Sequence, residues 1–170
     1  MKNLPQYLFF FAVVLLSQIM LFNNLTFSAY LAPLVYIVCI IMMPLGTSPL
    51  KMIIVGIVLG AIMDVTMGTA GLNVIATLPV AYFRRSLLSL VASYADMDGE
   101  GDTPSQLRIP RFHNYVVAMV LLHNIIFFGV ENMTIDNFWF IALRWLCSTT
   151  VTMAVVYLFI AIFTPKLTRR

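Results

Sequence analysis

Six runs of apolar residues, separated by turn chemistry, constrain this chain more than any other feature. They fall at about Leu4–Phe22, Ala29–Met43, Met52–Met67, Leu72–Leu90, Tyr115–Val130 and Phe138–Phe163. Between them stand Asn23-Asn24, then Pro44-Leu45-Gly46 with Pro49, then Gly68 to Gly71, residue types that end helices and turn the backbone. A membrane span needs about 20 mostly apolar residues, so a chain of this length accommodates roughly six with short loops. Hydrophobic residues are 61% of the 170 and charged ones 10%. No water-soluble core of this size hides that much apolar surface. A content of 13 Phe, 7 Tyr and 2 Trp excludes a disordered chain. A β-barrel would alternate in strands of about 10 residues. The expected fold is therefore an all-α integral membrane protein, a single polytopic domain over residues 1–170. The first run follows Lys2 without a small-residue cleavage site and is read as a retained span.

Charge placement gives an orientation. Lys2 precedes the first run, Lys51 separates the second and third, and Arg84, Arg85, Arg108 and Arg111 flank the segment between the fourth and fifth. Lys166, Arg169 and Arg170 follow the sixth. The three intervening connections hold no Lys or Arg, and the last carries Glu131 and Asp136. This alternation predicts six transmembrane helices with both termini in the cytoplasm. It also reads the formal charge of +3 as a topology signal and not as a nucleic-acid surface. The polar stretch Ser93 to Asn114 becomes a cytoplasmic linker. Its Asp96-Met97-Asp98-Gly99-Glu100-Gly101-Asp102 starts like a calcium loop, but Leu107 stands where the bidentate Glu belongs, so an acidic linker is expected.

Ionisable groups at membrane depth are costly, and Asp64, His123, Glu131 and Arg144 form that set. Gly56, Gly60, Asp64 and Gly68 recur every fourth residue, which keeps them on one helix face. Glycines there predict a helix-packing groove, with Asp64 buried inside it. Arg144 requires a partner, and Asp64 and Glu131 are the competing carboxylates. At about 1.5 Å per residue Asp64 lies roughly 20 Å above Lys51 and Arg144 about 9 Å below Phe138. In a core of about 30 Å the two share a level, which favours an Asp64–Arg144 ion pair. His123 is expected to be a hydrogen-bonded packing residue, and His113 lies at the membrane edge within reach of lipid headgroups. Cys39 and Cys147 both fall in apolar runs and are expected to be small buried hydrophobes, without a disulfide or metal. Ser89 and Ser148 have no motif that sets either beside a base, and a metalloprotease needs a second helical His. No catalytic residue, metal or cofactor is expected.

The run Gly56-x3-Gly60-x3-Asp64-x6-Gly71-Leu72-Asn73, followed by Tyr82-Phe83-Arg84, resembles the signature region of the rod shape-determining MreD family. Asn23-Asn24 with Tyr30, Pro33 and Tyr36, then Pro44, is similar to the region of helices one and two in one branch of that family. His123, Glu131, Arg144 and Ser148 fall where that branch also carries polar residues. The resemblance covers nearly the whole chain. It implies a non-catalytic inner-membrane component of the bacterial cell-elongation machinery that binds MreC and works with MreB, RodA and penicillin-binding protein 2. It also implies a six-helix arrangement like that of the substrate-binding (S) subunits of ECF vitamin transporters, a likeness of fold that carries no function. Such a transporter subunit is the alternative function. Those subunits commonly dock through an Ala-xxx-Ala contact in the first helix, where this chain has the single alanine Ala12.

Overall fold

The computed structural model describes residues 4–24, 31–91, 104–107, 109–132 and 138–167. Every regular element among them is helical: α1 (Leu4–Met20), α2 (Val38–Ile41), α3 (Pro49–Met67), α4 (Leu72–Val91), α5 (Ile109–Glu131) and α6 (Phe138–Leu167). Short 3-10 turns stand at Phe22–Asn24, Val35–Ile37 and Pro104–Gln106. Among the described residues four segments are long and apolar enough to cross a membrane: Pro5–Asn24, Pro49–Met67, Ile109–Glu131 and Phe138–Thr164. The protein is an all-helical membrane protein. The lipid-facing surface is as expected for one, with Val65 84% and Trp139 79% exposed, side chains that water would not tolerate in such numbers.

Local chemistry sets the helix ends. Ser48 is extended ahead of Pro49, whose fixed φ suits the first position of α3. α3 ends where Gly68 turns left-handed at φ 67°, its N–H donating to the Asp64 carbonyl. The four residues from Gly68 to Gly71 then reverse the chain into α4. This elbow defines one end of the bundle. At the opposite end the rings of Phe10 and Phe163 meet at 5.1 Å, so the start of α1 and the end of α6 lie together.

The second apolar run departs from expectation. Its described part, residues 31–43, contains only four residues of α-helix, Val38–Ile41. It runs irregularly through the centre of the bundle, and every residue from Leu34 to Met42 is wholly buried. Irregular backbone at membrane depth is tolerated only where protein satisfies its polar groups. The linker residues 93–103, with their calcium-loop-like start, lie outside the described residues, whereas Ile109–Asn114 begins α5 instead of continuing the linker.

Candidate functional site

The α3–α4 elbow is built on Asp64. Its Oδ1 accepts the Thr69 hydroxyl at 2.5 Å, the Asn73 N–H at 2.8 Å and the Asn73 amide at 3.1 Å, and its Oδ2 accepts the Val74 N–H at 3.0 Å. Asn73 and Val74 open α4, so a carboxylate at the end of one helix caps the start of the next. The partial positive charge of that helix end and its free N–H groups offset the buried negative charge. Just below, the helices nearly touch. A Cβ on Gly60 would stand 2.6 Å from the Val74 Cα, and one on Gly56 would stand 2.9 Å from the Ala81 Cβ.

Gly56 and Gly60 thus form the expected packing groove, and α4 fills it. Gly68 does not belong to it. A Cβ there would meet nothing within 4 Å, and the residue is glycine for its left-handed turn.

The expected Asp64–Arg144 pair is not formed. Arg144 is held by Glu131 in a fork, Nη1 to Oε2 at 3.0 Å and Nη2 to Oε1 at 3.2 Å, with the guanidinium 5.5 Å above the Phe128 ring. The depth argument matched levels but not faces. Asp64 turns inward to α4, while Glu131 and Arg144 face each other across the α5–α6 hairpin, whose helices are sequence neighbours. The loop linking Asp64 to Asn73 was the signal available in the sequence. A carboxylate one helical turn before a four-residue reversal is placed to cap the next helix.

The interior holds a second polar cluster. The Tyr36 hydroxyl lies 3.0 Å from Asn73 Oδ1, 3.1 Å from Thr77 Oγ1 and 2.9 Å from His123 Nε2. His123 is wholly buried, with Asn124 Oδ1 3.4 Å from its Nδ1, which makes it a hydrogen-bonded packing residue as expected. Asn124 in turn donates to Thr149 Oγ1 at 3.0 Å, tying α5 to α6. Nearer the start of α5, His113 stacks on Tyr157 with its Nδ1 2.6 Å from the hydroxyl.

Polar side chains from four helices hold the irregular segment. Gln18 Oε1 accepts the Val35 and Tyr36 N–H groups at 2.7 and 3.3 Å, and Gln18 Nε2 donates to the Pro33 carbonyl at 3.0 Å. One turn apart on α6, Ser148 Oγ accepts the Ala32 N–H at 3.0 Å and Thr152 Oγ1 the Leu34 N–H at 3.1 Å. Alternate amides facing one side is the geometry of an extended strand. At the other end, buried Arg84 donates to the Met43 carbonyl and to the Tyr115 hydroxyl, and Tyr115 donates to the Ile41 carbonyl at 3.2 Å. These bonds satisfy the Ile41 carbonyl that ends α2 and the Met43 carbonyl just beyond it, near a helix end that favours a cation.

Sequence reasoning missed Gln18, Thr152 and Tyr115, and it read Arg84 as a topology charge. An isolated amide in α1 and the Ser148-Thr149-Thr150 run in α6 were the signals. Cys39 is buried as expected, but Cys147 is exposed on α6, because burial in an apolar run depends on which face meets the bundle. Among the described residues no three His, Cys, Asp or Glu side chains are grouped to hold a metal ion.

An open groove of about 720 Å³ lies between α5 and α6, lined by Ile125, Phe128, Gly129, Ile141, Ala142 and Trp145. No family model matches the chain, and neither a curated protein nor a solved structure is significantly similar to it.

Proposed function

We propose that this chain is a non-catalytic inner-membrane scaffold of the bacterial cell-elongation complex, of the MreD kind, which binds MreC and acts with MreB, RodA and penicillin-binding protein 2 in controlling peptidoglycan synthesis. One observation carries the reading. The signature residues Gly56, Gly60, Asp64 and Asn73 act together in a single rigid elbow, and the polar interior beside it is spent on the chain's own residues 31–43. Hydrogen-bonding capacity that a transport subunit would turn toward a solute is here directed at the backbone. Helix association in lipid relies on close packing and a few polar contacts, the kind of surface a rigid bundle offers a single-span partner.

Co-expression of the full chain with each elongation partner, followed by purification in mild detergent, tests this. MreC is expected to copurify. Recovery of a tightly held vitamin without MreC would replace the scaffold with the transporter subunit.

The proposed topology has six passes, with both termini and the linker from residue 93 to the start of α5 in the cytoplasm, and the broken segment serves as the second pass. Charge alternation supports it, as does the meeting of Phe10 and Phe163 at one end. Reporter fusions at Arg170 and Asp98 are expected to read cytoplasm and one near Ile135 periplasm. Labelling of Asp98→Cys from outside intact spheroplasts would invert the topology.

A further inference from the structure

We infer that Asp64 is a positioning residue for a proton it does not touch: acting through Asn73 and Tyr36, it sets which ring nitrogen of His123 carries the hydrogen. A carboxylate can only accept, so the Asn73 amide presents its nitrogen to Asp64 Oδ1, at 3.1 Å, and its oxygen to the other side. The same nitrogen lies 2.9 Å from Thr69 Oγ1, whose own hydrogen goes to Asp64. The freedom that usually lets an amide turn over is removed here. Asn73 is wholly buried, and among the described residues the Tyr36 hydroxyl, at 3.0 Å, is the donor that reaches its Oδ1. Leaving a buried acceptor without a donor is costly, so the single Tyr36 hydrogen is committed to Asn73.

The Tyr36 oxygen is then left with lone pairs alone. It faces His123 Nε2 at 2.9 Å and Thr77 Oγ1 at 3.1 Å. Thr77 is spent, because its hydroxyl donates to the Asn73 carbonyl at 2.6 Å. The hydrogen between Tyr36 and the ring therefore belongs to Nε2. A second hydrogen on Nδ1 would place a charge in the apolar interior, so Nδ1 is bare. The Asn124 amide, whose two ends are alike in shape, then turns its nitrogen to Nδ1 and takes the Thr149 hydroxyl on its oxygen. The Asn124–Thr149 bond described above thus runs in the reverse sense, and every one of these groups has a partner.

The opposite tautomer fails at one point. With the hydrogen on Nδ1, Tyr36 must donate to Nε2, and Asn73 Oδ1 loses its donor. That single buried loss favours the Nε2–H form by roughly tenfold or more. Bond direction is in this way handed from the α3–α4 elbow, through Tyr36 in the broken segment, to the ring on α5 and on to Thr149 on α6. The inference concerns this chain alone and stands whether or not MreC is the partner.

Solid-state NMR of the full chain in lipid bilayers, carrying isotope-labelled histidine at mildly alkaline pH, reads the tautomer directly. Nε2 is bonded to Cδ2 and Nδ1 to Cγ, so one-bond correlations identify the protonated nitrogen. The chain has 2 His, and His113→Gln leaves His123 as the one observed ring. The hydrogen is expected on Nε2, with the Nδ1–H form below about a tenth. Asp64→Ala frees the Asn73 amide to turn, and Asn73→Ala removes its oxygen while the Asn73 and Val74 N–H groups still reach Asp64. In both, Tyr36 is released to donate to Nε2, and the Nδ1–H form is expected to rise to roughly half. Asn124→Leu, on the other side of the ring, is expected to leave the hydrogen on Nε2. A parent chain with its hydrogen on Nδ1 overturns the inference, and that spectrum does not depend on any elbow variant folding. So does a tautomer that ignores Asn73→Ala but shifts in Asn124→Leu, because Asn124 would then set it.

Discussion

Gly60→Ala is expected to destabilise the bundle by about 3 kcal/mol, more than the same change at Gly56 or Gly129. The new Cβ would stand 2.6 Å from the Val74 Cα and 2.8 Å from its N, and backbone cannot swing aside as a side-chain tip does. α3 and α4 must separate, and separation draws Asp64 away from the amides it caps. The cost therefore combines overpacking with a weakened cap. Thermal unfolding of the detergent-solubilised protein reads it as a fall in midpoint on the order of 10 °C. Gly129→Ala is the matched control, since a Cβ there meets nothing within 4 Å. Alanine is about 1 kcal/mol better than glycine inside a helix, so this variant is expected to be neutral or more stable. Equal losses at both positions would mean that α3 and α4 are not in close contact.

Asp64→Ala is expected to cost a similar amount by a different route. It strips the acceptor from the Thr69 hydroxyl, the Asn73 and Val74 N–H groups and the Asn73 amide at once. A lost N-cap costs about 1 kcal/mol, and each buried donor left without a partner about 1–3 kcal/mol more, so roughly 3 kcal/mol is a moderate total. Asp64→Asn keeps one acceptor oxygen but turns an NH₂ toward donors, and it is expected to fall between alanine and the parent. Glu131→Gln provides the contrast. Glutamine keeps an acceptor for the Arg144 guanidinium, so only one of the two fork bonds is lost, against four bonds at Asp64, and the smaller loss is expected here. Folded yield and melting midpoint of the three variants check the order. Were Glu131→Gln the most damaging, the hairpin ion pair and not the elbow would be the bundle's main polar support.

These two expectations rest on residues whose importance was legible in the sequence, though their partners were not. Four-residue spacing placed Gly56, Gly60 and Asp64 on one face, and close helix approach is the consequence of that spacing. The same spacing included Gly68, which serves the turn instead. Periodicity reports which face a residue occupies only while the helix continues, and α3 stops at Met67. Depth arithmetic likewise set Asp64 and Arg144 at one level without revealing that one faces inward to α4 and the other faces α5. The interior cluster was half legible. His123 announced itself as an ionisable group in an apolar run, and Tyr36 and Ser148 stood among the residues of the family resemblance, whereas Gln18 and Thr152 are ordinary residues until a length of unpaired backbone is laid against them.

The sequence by itself determined that this is a helical membrane protein and that α3 carries a close-packing face. It did so because hydropathy and residue spacing are local, and a bilayer accepts only backbone that is hydrogen-bonded within its own segment or by protein around it. The tertiary structure alone decided that Asp64 caps α4, that Arg144 belongs to Glu131, that Cys147 faces outward and that the second apolar run is broken at the centre of the bundle. Each of these depends on which polar groups from distant parts of the chain reach the same point. In the run from Leu31 to Met43, hydropathy alone reads as a membrane helix, and only the presence of Gln18, Ser148, Thr152 and Arg84 around it satisfies a broken backbone there.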